Sequence, residues 1–278
     1  MIINGFTMPA KELNEDAMYV SEKFGFVLDG ATGLLKENVS PIKSDAAWFT
    51  QTFREFFINN LGDMSKSFQE IVIKGIIEID NTYMSFPNAE TVKSKPSSGA
   101  AIYRINNDKF EYFILGDCSF LIEDTKGTVT HLKLDDLTRL DAININKMAK
   151  IAKEKGINVV DARELINDDL VKTRLMQNTD EGYWILSDDT EAPSHALVGE
   201  IPLENINQIV GTSDGFSQIY DTFFIYTKEE LIEKLQNGTS IETLYKTLCT
   251  EQDKDALCNE KPRFKLRDDA TLIYAKFN

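Results

Sequence analysis

Apolar positions along this chain follow two rhythms. "DAMYV" (residues 16–20) and "FGFVLDG" (24–30) are short, mostly apolar runs and read as a pair of strands. From Ser44 the period becomes helical: in "SDAAWFTQTFREFFINNL", Phe49, Phe53, Phe56 and Phe57 share one stripe, and Ser44 is placed as the N-cap. "SKSFQEIVIKGIIEI" repeats the stripe through Phe68, Ile71, Val72, Gly75, Ile76 and Ile79. A glycine in mid-helix costs about 1 kcal/mol relative to alanine unless something packs closely against it.

Strand runs then return as "GAAIYRI", "KFEYFILGD", "SFLIED" and "VTHLKL", the first two joined by a hairpin turn at Asn106-Asn107-Asp108. Residues 136–178 read as polar helix with Gly156 as C-cap. "GYWIL" and "INQIVGTSDGF" read as strand, and 228–250 as helix with Thr239 and Glu242 forming a capping box. "ATLIYAKF" closes the chain as a strand. Strand runs separated by helix runs, with hairpin spacing, predict an α+β fold of antiparallel sheets with segregated helices. The alternation that a doubly wound parallel sheet needs is missing.

Acids punctuate the strand ends. Glu15 and Asp16 precede "AMYV", and Asp29-Gly30 ends the next strand. Gly116-Asp117 interrupts a strand run, Asp214-Gly215 follows one, and Asp268-Asp269 precedes the last. A turn explains any one of these. The set of five is different, because strand ends on one edge of a sandwich converge. Converging carboxylates repel unless cations neutralise them. Hard oxygen donors with no nearby histidine or cysteine indicate Mg2+ or Mn2+ and not zinc.

Composition narrows the classes. The chain has 278 residues, 42% hydrophobic and 27% charged, so it can bury a large core and is not disordered. Its 45 acids against 30 bases leave a net charge of -15, which repels nucleic acid and anionic membranes. No apolar run reaches the roughly 18 residues of a membrane span. Three unpaired cysteines without a secretory signal imply reduced thiols and a cytoplasmic protein. The sixth positions after Cys118, Cys249 and Cys258 are Asp124, Asp255 and Phe264, so none opens a Cys-x5-Arg phosphatase loop. A Gly-x4-Gly-Lys phosphate loop is absent too.

The order of "NEDA", "DGATGL", "PSSGAA", "LGDCSFLI", "TSDGF" and "DDAT" resembles the metal-dependent protein phosphatases of the PP2C family. The resemblance runs over nearly the whole chain and is weakest at about residues 125–195, which it implies form a flap-like region. It implies one domain over residues 1–278, a four-layer αββα sandwich with two central antiparallel sheets. Asp29 would bridge two metals, with the Gly30 carbonyl in the same shell. Glu15 and Asp16 match an acidic pair, one member of which reaches a metal directly or through water. Asp214 and Asp268 match ligands of the opposite metal, and Asp117 matches an acid tied to a third, weaker ion. Lys11 stands where the family commonly has a phosphate-binding arginine.

The implied activity is hydrolysis of phosphoserine and phosphothreonine in proteins, in signalling opposed to a Ser/Thr kinase, by water activated by two Mg2+ or Mn2+ ions. Two positions depart from the family. Lys11 offers a point charge instead of a fork, and Ala31 replaces a histidine or methionine common after the Asp-Gly pair. They favour a second reading, a phosphatase-like regulatory module with weak turnover or none.

Overall fold

Phe26, Val27 and Leu28 are consecutive and all fully buried, so their strand is covered on both faces. The computed structural model describes residues 1–31, 33 and 38–277. Thr32 and Leu34 of the "DGATGL" motif lie outside the described residues.

One five-stranded sheet contains β1 (Ile2–Met8), β6 (Ser119–Asp124), β7 (Val129–Leu132), β9 (Ile206–Thr212) and β10 (Ala270–Lys276), in the order β1-β10-β9-β6-β7. The other contains β2 (Ala17–Val20), β3 (Phe24–Ala31), β4 (Ser97–Asn106), β5 (Lys109–Leu115) and β8 (Leu197–Pro202), in the order β2-β3-β4-β5-β8. Every neighbouring pair is antiparallel.

Alternation along each strand sorts the core into layers. Phe26, Leu28 and Ile102 face α1 (Asp45–Asn60) and α2 (Phe68–Tyr83). Val27, Ala101 and Ile114 turn the other way and meet Phe120, Ile209 and Ile273 between the sheets. Leu121, Val210 and Leu272 face α6 (Asp214–Asp221), α7 (Lys228–Gln236) and α8 (Ile241–Lys254). The layers run helix, sheet, sheet, helix. The helices α3 (Asp136–Lys155), α4 (Val159–Ala162) and α5 (Asn167–Leu175) stand apart on a small core of their own, centred on Met148, Val159 and Ile166.

Ser44 caps α1, accepting the Ala47 N–H at 3.1 Å, and the four stripe phenylalanines are buried. Asn107 takes the left-handed conformation in the β4–β5 turn, where Asn106 pairs with Lys109. Gly156 caps α3.

Several elements differ from expectation. β1 and β8 read too weakly as strands because each is the edge of its sheet and half exposed, with Gly5 or Gly199 breaking the pattern. "GYWIL" forms isolated bridges instead of a strand, Leu186 pairing with Ser98 and Tyr183 with Gln177. The expected helix over 136–178 is three helices. The one over 228–250 is two, and Ser240, not Thr239, caps the second. A capping box does form, at Thr227 and Glu230, before the first. The strand before Asp214 stops at Thr212, and Asp214 opens a helix instead of a turn.

Gly75 has its packing reason. A β-carbon there would lie 2.8 Å from Phe56 and 2.9 Å from Phe53, so α1 and α2 meet at the glycine. Gly75→Ala should therefore destabilise by about 1–3 kcal/mol through overpacking, reversing the gain that helix propensity alone gives. Urea unfolding measures it, and a stabilised variant refutes the close approach.

Candidate metal centre

Asp29 lies near the end of β3, opposite Gly99 of β4. Its Oδ2 accepts the N–H of Asp214 at 3.2 Å, which ties the tip of one sheet to the first turn of α6. Gly30 follows because the chain carrying Glu15 crosses there: a β-carbon at 30 would sit 2.3 Å from the Glu15 carbonyl oxygen.

Glu15 is held from three sides. Its carboxylate accepts the Ser44 hydroxyl at 2.6 Å, and its carbonyl accepts the Thr50 hydroxyl at 2.8 Å. Its N–H donates to Asp269 at 2.6 Å, and the Ala10 N–H donates to the other Asp269 oxygen at 2.7 Å. Asp269 thus binds the segment before β2 to the segment before β10. Asp16 is 1% exposed; its Oδ2 accepts the Thr271 hydroxyl at 2.7 Å, and its Oδ1 has no hydrogen-bond partner among the described residues. Asp214 Oδ1 is likewise buried without a partner. Asp117 sits in the β5–β6 turn, where Gly116 takes φ +80°.

One cleft of about 860 Å³ collects these groups. Lys11, Glu15, Asp29, Asp117, Asp214 and Asp268 line it, and Gly30 and Ala31 form part of its wall. Asp16 lies behind, buried, and its charge acts on Asp29. Among the described residues, one oxygen each of Asp29 and Asp117 and the Cys118 sulfur all lie within 4.8 Å of one another.

The charges in the cleft are poorly balanced. Burial pushes Asp29 well above the usual carboxylate range, and Asp16, Asp214 and Asp117 push further. Asp214 rises well above it too, by burial and the charges of Asp268 and Asp117. Burial lifts Asp16 to about 8, the Thr271 hydrogen bond opposing and Asp268 adding to it. Burial lifts Asp117 to about 6. A cation answers directly: the Lys265 ammonium lies 2.5 Å from Asp268 Oδ1. Burial works against the charge of Lys265, but Asp268, Asp214 and Asp29 outweigh it and raise its pKa. Lys11 is exposed at the rim.

Asp141, Arg174 and Lys265 line the cleft and were not among the sequence candidates. Asp141 of α3 is pushed up to about 7 by burial and by Asp117. Its signal was helical spacing, since it shares a stripe with the buried Asn144, Met148 and Ala152. Arg174 of α5 donates to Ser97 Oγ at 3.0 Å and lines the same cleft. Arg174 carries no local motif and reaches the cleft by tertiary contact, whereas Lys265 stands three residues before its partner Asp268.

The donors fit hard divalent cations. They are carboxylates, two of them with a buried oxygen lacking any partner, in a setting with too little positive charge.

No family model matches the sequence, and no curated protein matches it. Solved structures do match. The serine/threonine phosphatase PstP/Ppp of Mycobacterium tuberculosis aligns at 13% identity and a TM-score of 0.59, over 100% of this chain and 98% of that one. The catalytic domain of the phosphatase PstP in complex with 2 manganese ions aligns at 14% and 0.56, over 99% and 97%. Serine/threonine phosphatase Stp1 from Staphylococcus aureus aligns at 13% and 0.54, over 99% and 94%. The chain has the fold of the bacterial PP2C-type serine/threonine phosphatases, the fold that its motif order implied.

Asp117, Asp141 and Asp16 bind a proton more tightly when folded, at about 6, 7 and 8, than the 3.8 of a free carboxyl. Such groups stabilise the fold below the free value and lose that contribution as pH rises through the folded one. In chelator, the thermal midpoint should therefore fall as pH rises between about 5 and 8, and saturating Mn2+ should flatten the slope. Asp29→Asn should raise the midpoint in chelator near pH 8 while removing most of the shift caused by Mn2+. A metal-free midpoint that is flat or rises with pH argues against an uncompensated cluster.

Proposed function

We propose that this chain is a metal-dependent phosphatase that removes phosphate from phosphoserine and phosphothreonine in proteins. The observation that carries the reading is the convergence of Asp29, Asp117, Asp214 and Asp268 on one cleft, where Asp214 Oδ1 is buried and, among the described residues, lacks a hydrogen-bond partner, and where Lys265 pairs with Asp268. The fold, and the manganese ions in the PstP complex, support it. We assign Asp29, Asp214, Asp268 and the Gly30 carbonyl to the ions, with Glu15 and Asp16 behind them and Asp117 toward a weaker third.

Divalent cations held there supply positive charge against the phosphoryl oxygens and acidify the attacking water. The chain's own groups do the rest. Asp29, fixed by the Asp214 N–H, keeps its orientation as charge builds. Lys265 holds Asp268 in place through their ion pair. Lys11 at the rim meets a phosphoryl oxygen as a mobile point charge. Ala31 brings no proton donor, so the leaving serine or threonine oxygen takes its proton from water. Residues 1–278 act as one unit, because β1 pairs with β10 and brings the first acids beside the last. The acidic surface suits a cytoplasmic protein acting on phosphoproteins, opposed to a Ser/Thr kinase, and disfavours nucleic acid and membranes. Among the described residues, no helix is long and apolar enough to cross a membrane.

Ala31 and Lys11 favour the second reading, a phosphatase-like binding module. Hydrolysis of p-nitrophenyl phosphate separates the two. The phosphatase reading expects turnover that requires Mn2+ or Mg2+ and vanishes in EDTA; its absence at every metal concentration supports the module. A phosphopeptide panel then fixes the substrate class.

Lys11→Ala should lower kcat/KM about three- to tenfold, chiefly through KM, the modest size reflecting a solvated contact. Lys11→Arg should keep or improve it, since a fork matches phosphate. Unchanged kinetics in Lys11→Ala remove Lys11 from the substrate contact.

A further inference from the structure

A different donor chemistry lies inside the acidic cluster. Cys118 is fully buried, yet its sulfur lies within 4.8 Å of an oxygen of Asp29 and one of Asp117, which in turn lie within that distance of each other. The backbone builds this arrangement. Gly99 pairs with Asp29 across β3 and β4, and the β5–β6 turn folds Asp117 and Cys118 over it. A β-carbon at 99 would stand 2.5 Å from Asp117 Oδ1 and 3.2 Å from the Cys118 sulfur. A second observation lies beside the cluster. Asp16 is 1% exposed with Oδ1 unpartnered, and its charge acts on both Asp29 and Cys118.

Two carboxylate oxygens and one sulfur are not a donor set for magnesium, which takes oxygen. They suit Zn2+, Cd2+ and Co2+, which take mixed oxygen and sulfur ligands and form strong thiolate bonds. We propose that Cys118, Asp29 and Asp117 form a mixed oxygen–sulfur site for thiophilic divalent cations, and that an ion bound there withdraws Asp29 and Asp117 from Mg2+ or Mn2+. The thiol gives its proton to solvent as the sulfur–metal bond forms, and no electrons are transferred. Hard ions leave the buried thiol neutral; only a soft ion engages the sulfur. The inhibitory consequence rests on the phosphatase reading, whereas the sulfur ligation does not.

Cd2+ titration of the metal-free chain, followed by ultraviolet absorption of the cadmium–thiolate bond, tests the site. The wild type should develop the band with one ion per chain, and Cys249→Ser should keep it. Cys118→Ser should lose it, and Asp117→Asn should weaken Cd2+ binding by roughly tenfold or more. Calorimetric Mn2+ affinity of Cys118→Ser should stay within about threefold of wild type, which also checks that the variant is folded. Cadmium-113 NMR of the unmodified chain, needing no variant, should place one sulfur on the ion. A band that persists in Cys118→Ser, or a cadmium signal from oxygen ligands alone, overturns the proposal. If the band behaves as expected while Cd2+ fails to inhibit a metal-dependent turnover, the sulfur site stands and the withdrawal of the two aspartates is wrong.

Discussion

Mutual repulsion among buried carboxylates is the constraint on which the site depends. Asp16, Asp29, Asp117 and Asp214 all have their proton affinity raised by burial first, and each of them also feels the charge of Asp268. Left to itself such a cluster pushes apart. Backbone contacts prevent that. Asp269 accepts two N–H groups from the segment before β2, and Asp214 donates its own N–H to Asp29. The sandwich behaves as a clamp that holds charges together against their own field. A folded state of this kind gives up stability at its centre and recovers it when cations arrive.

The rest of the architecture supplies the force for the clamp. β3 is buried on both faces, with Phe26 and Leu28 under α1 and α2 and Val27 between the sheets. Its end therefore cannot retreat from the cleft without opening two cores at once. On the other side Leu272 of β10 packs under α6–α8, and Ile273 packs between the sheets. Asp268 and Asp269 precede a strand that is equally fixed. Glycine appears where two backbones must cross at the site: no side chain fits between Gly30 and the carbonyl of Glu15.

How much of this could be read in the sequence follows from the same physics. The sandwich was legible because β3, β4, β6 and β10 are central strands with near-continuous apolar runs, and α1 and α2 carry unbroken stripes. β1 and β8 were not, since Gly5 and Gly199 break their half-exposed patterns, whereas the edge strands β2 and β7 were. Site acids were legible where a turn glycine or a paired acid marks them, as at Asp29-Gly30 and Asp268-Asp269. Asp141, Arg174 and Lys265 carry no such mark. Asp141, on the buried stripe of α3, and Arg174 of α5 reach the cleft by helix packing over long sequence distances, and Lys265 stands three residues before its partner Asp268. An identity of 12–14% to the matching structures fits this division. Apolar residues of suitable size substitute for one another in a core, whereas a carboxylate at a converging strand end has no substitute.

The least familiar-looking stretch of the sequence is joined mechanically to the centre. Met148, Val159, Ile166 and Leu170 of the helical insert pack around Cys258, with Phe264 against them, and both of these belong to the segment between α8 and β10. That segment is stiffened by a buried ion pair: Arg263 Nη1 lies 2.8 Å from Asp255 Oδ2, with both side chains under 9% exposed. Asp255 also accepts the N–H groups of Asn259, Glu260 and Lys261. One residue beyond Phe264 stands Lys265, the partner of Asp268. The insert holds Asp141 and Arg174 over the cleft, and the same small core anchors the segment that holds the lysine. α3 and α5 therefore share one small core with the segment that carries the Lys265–Asp268 pair, and the two sides of the cleft are built on the same packing.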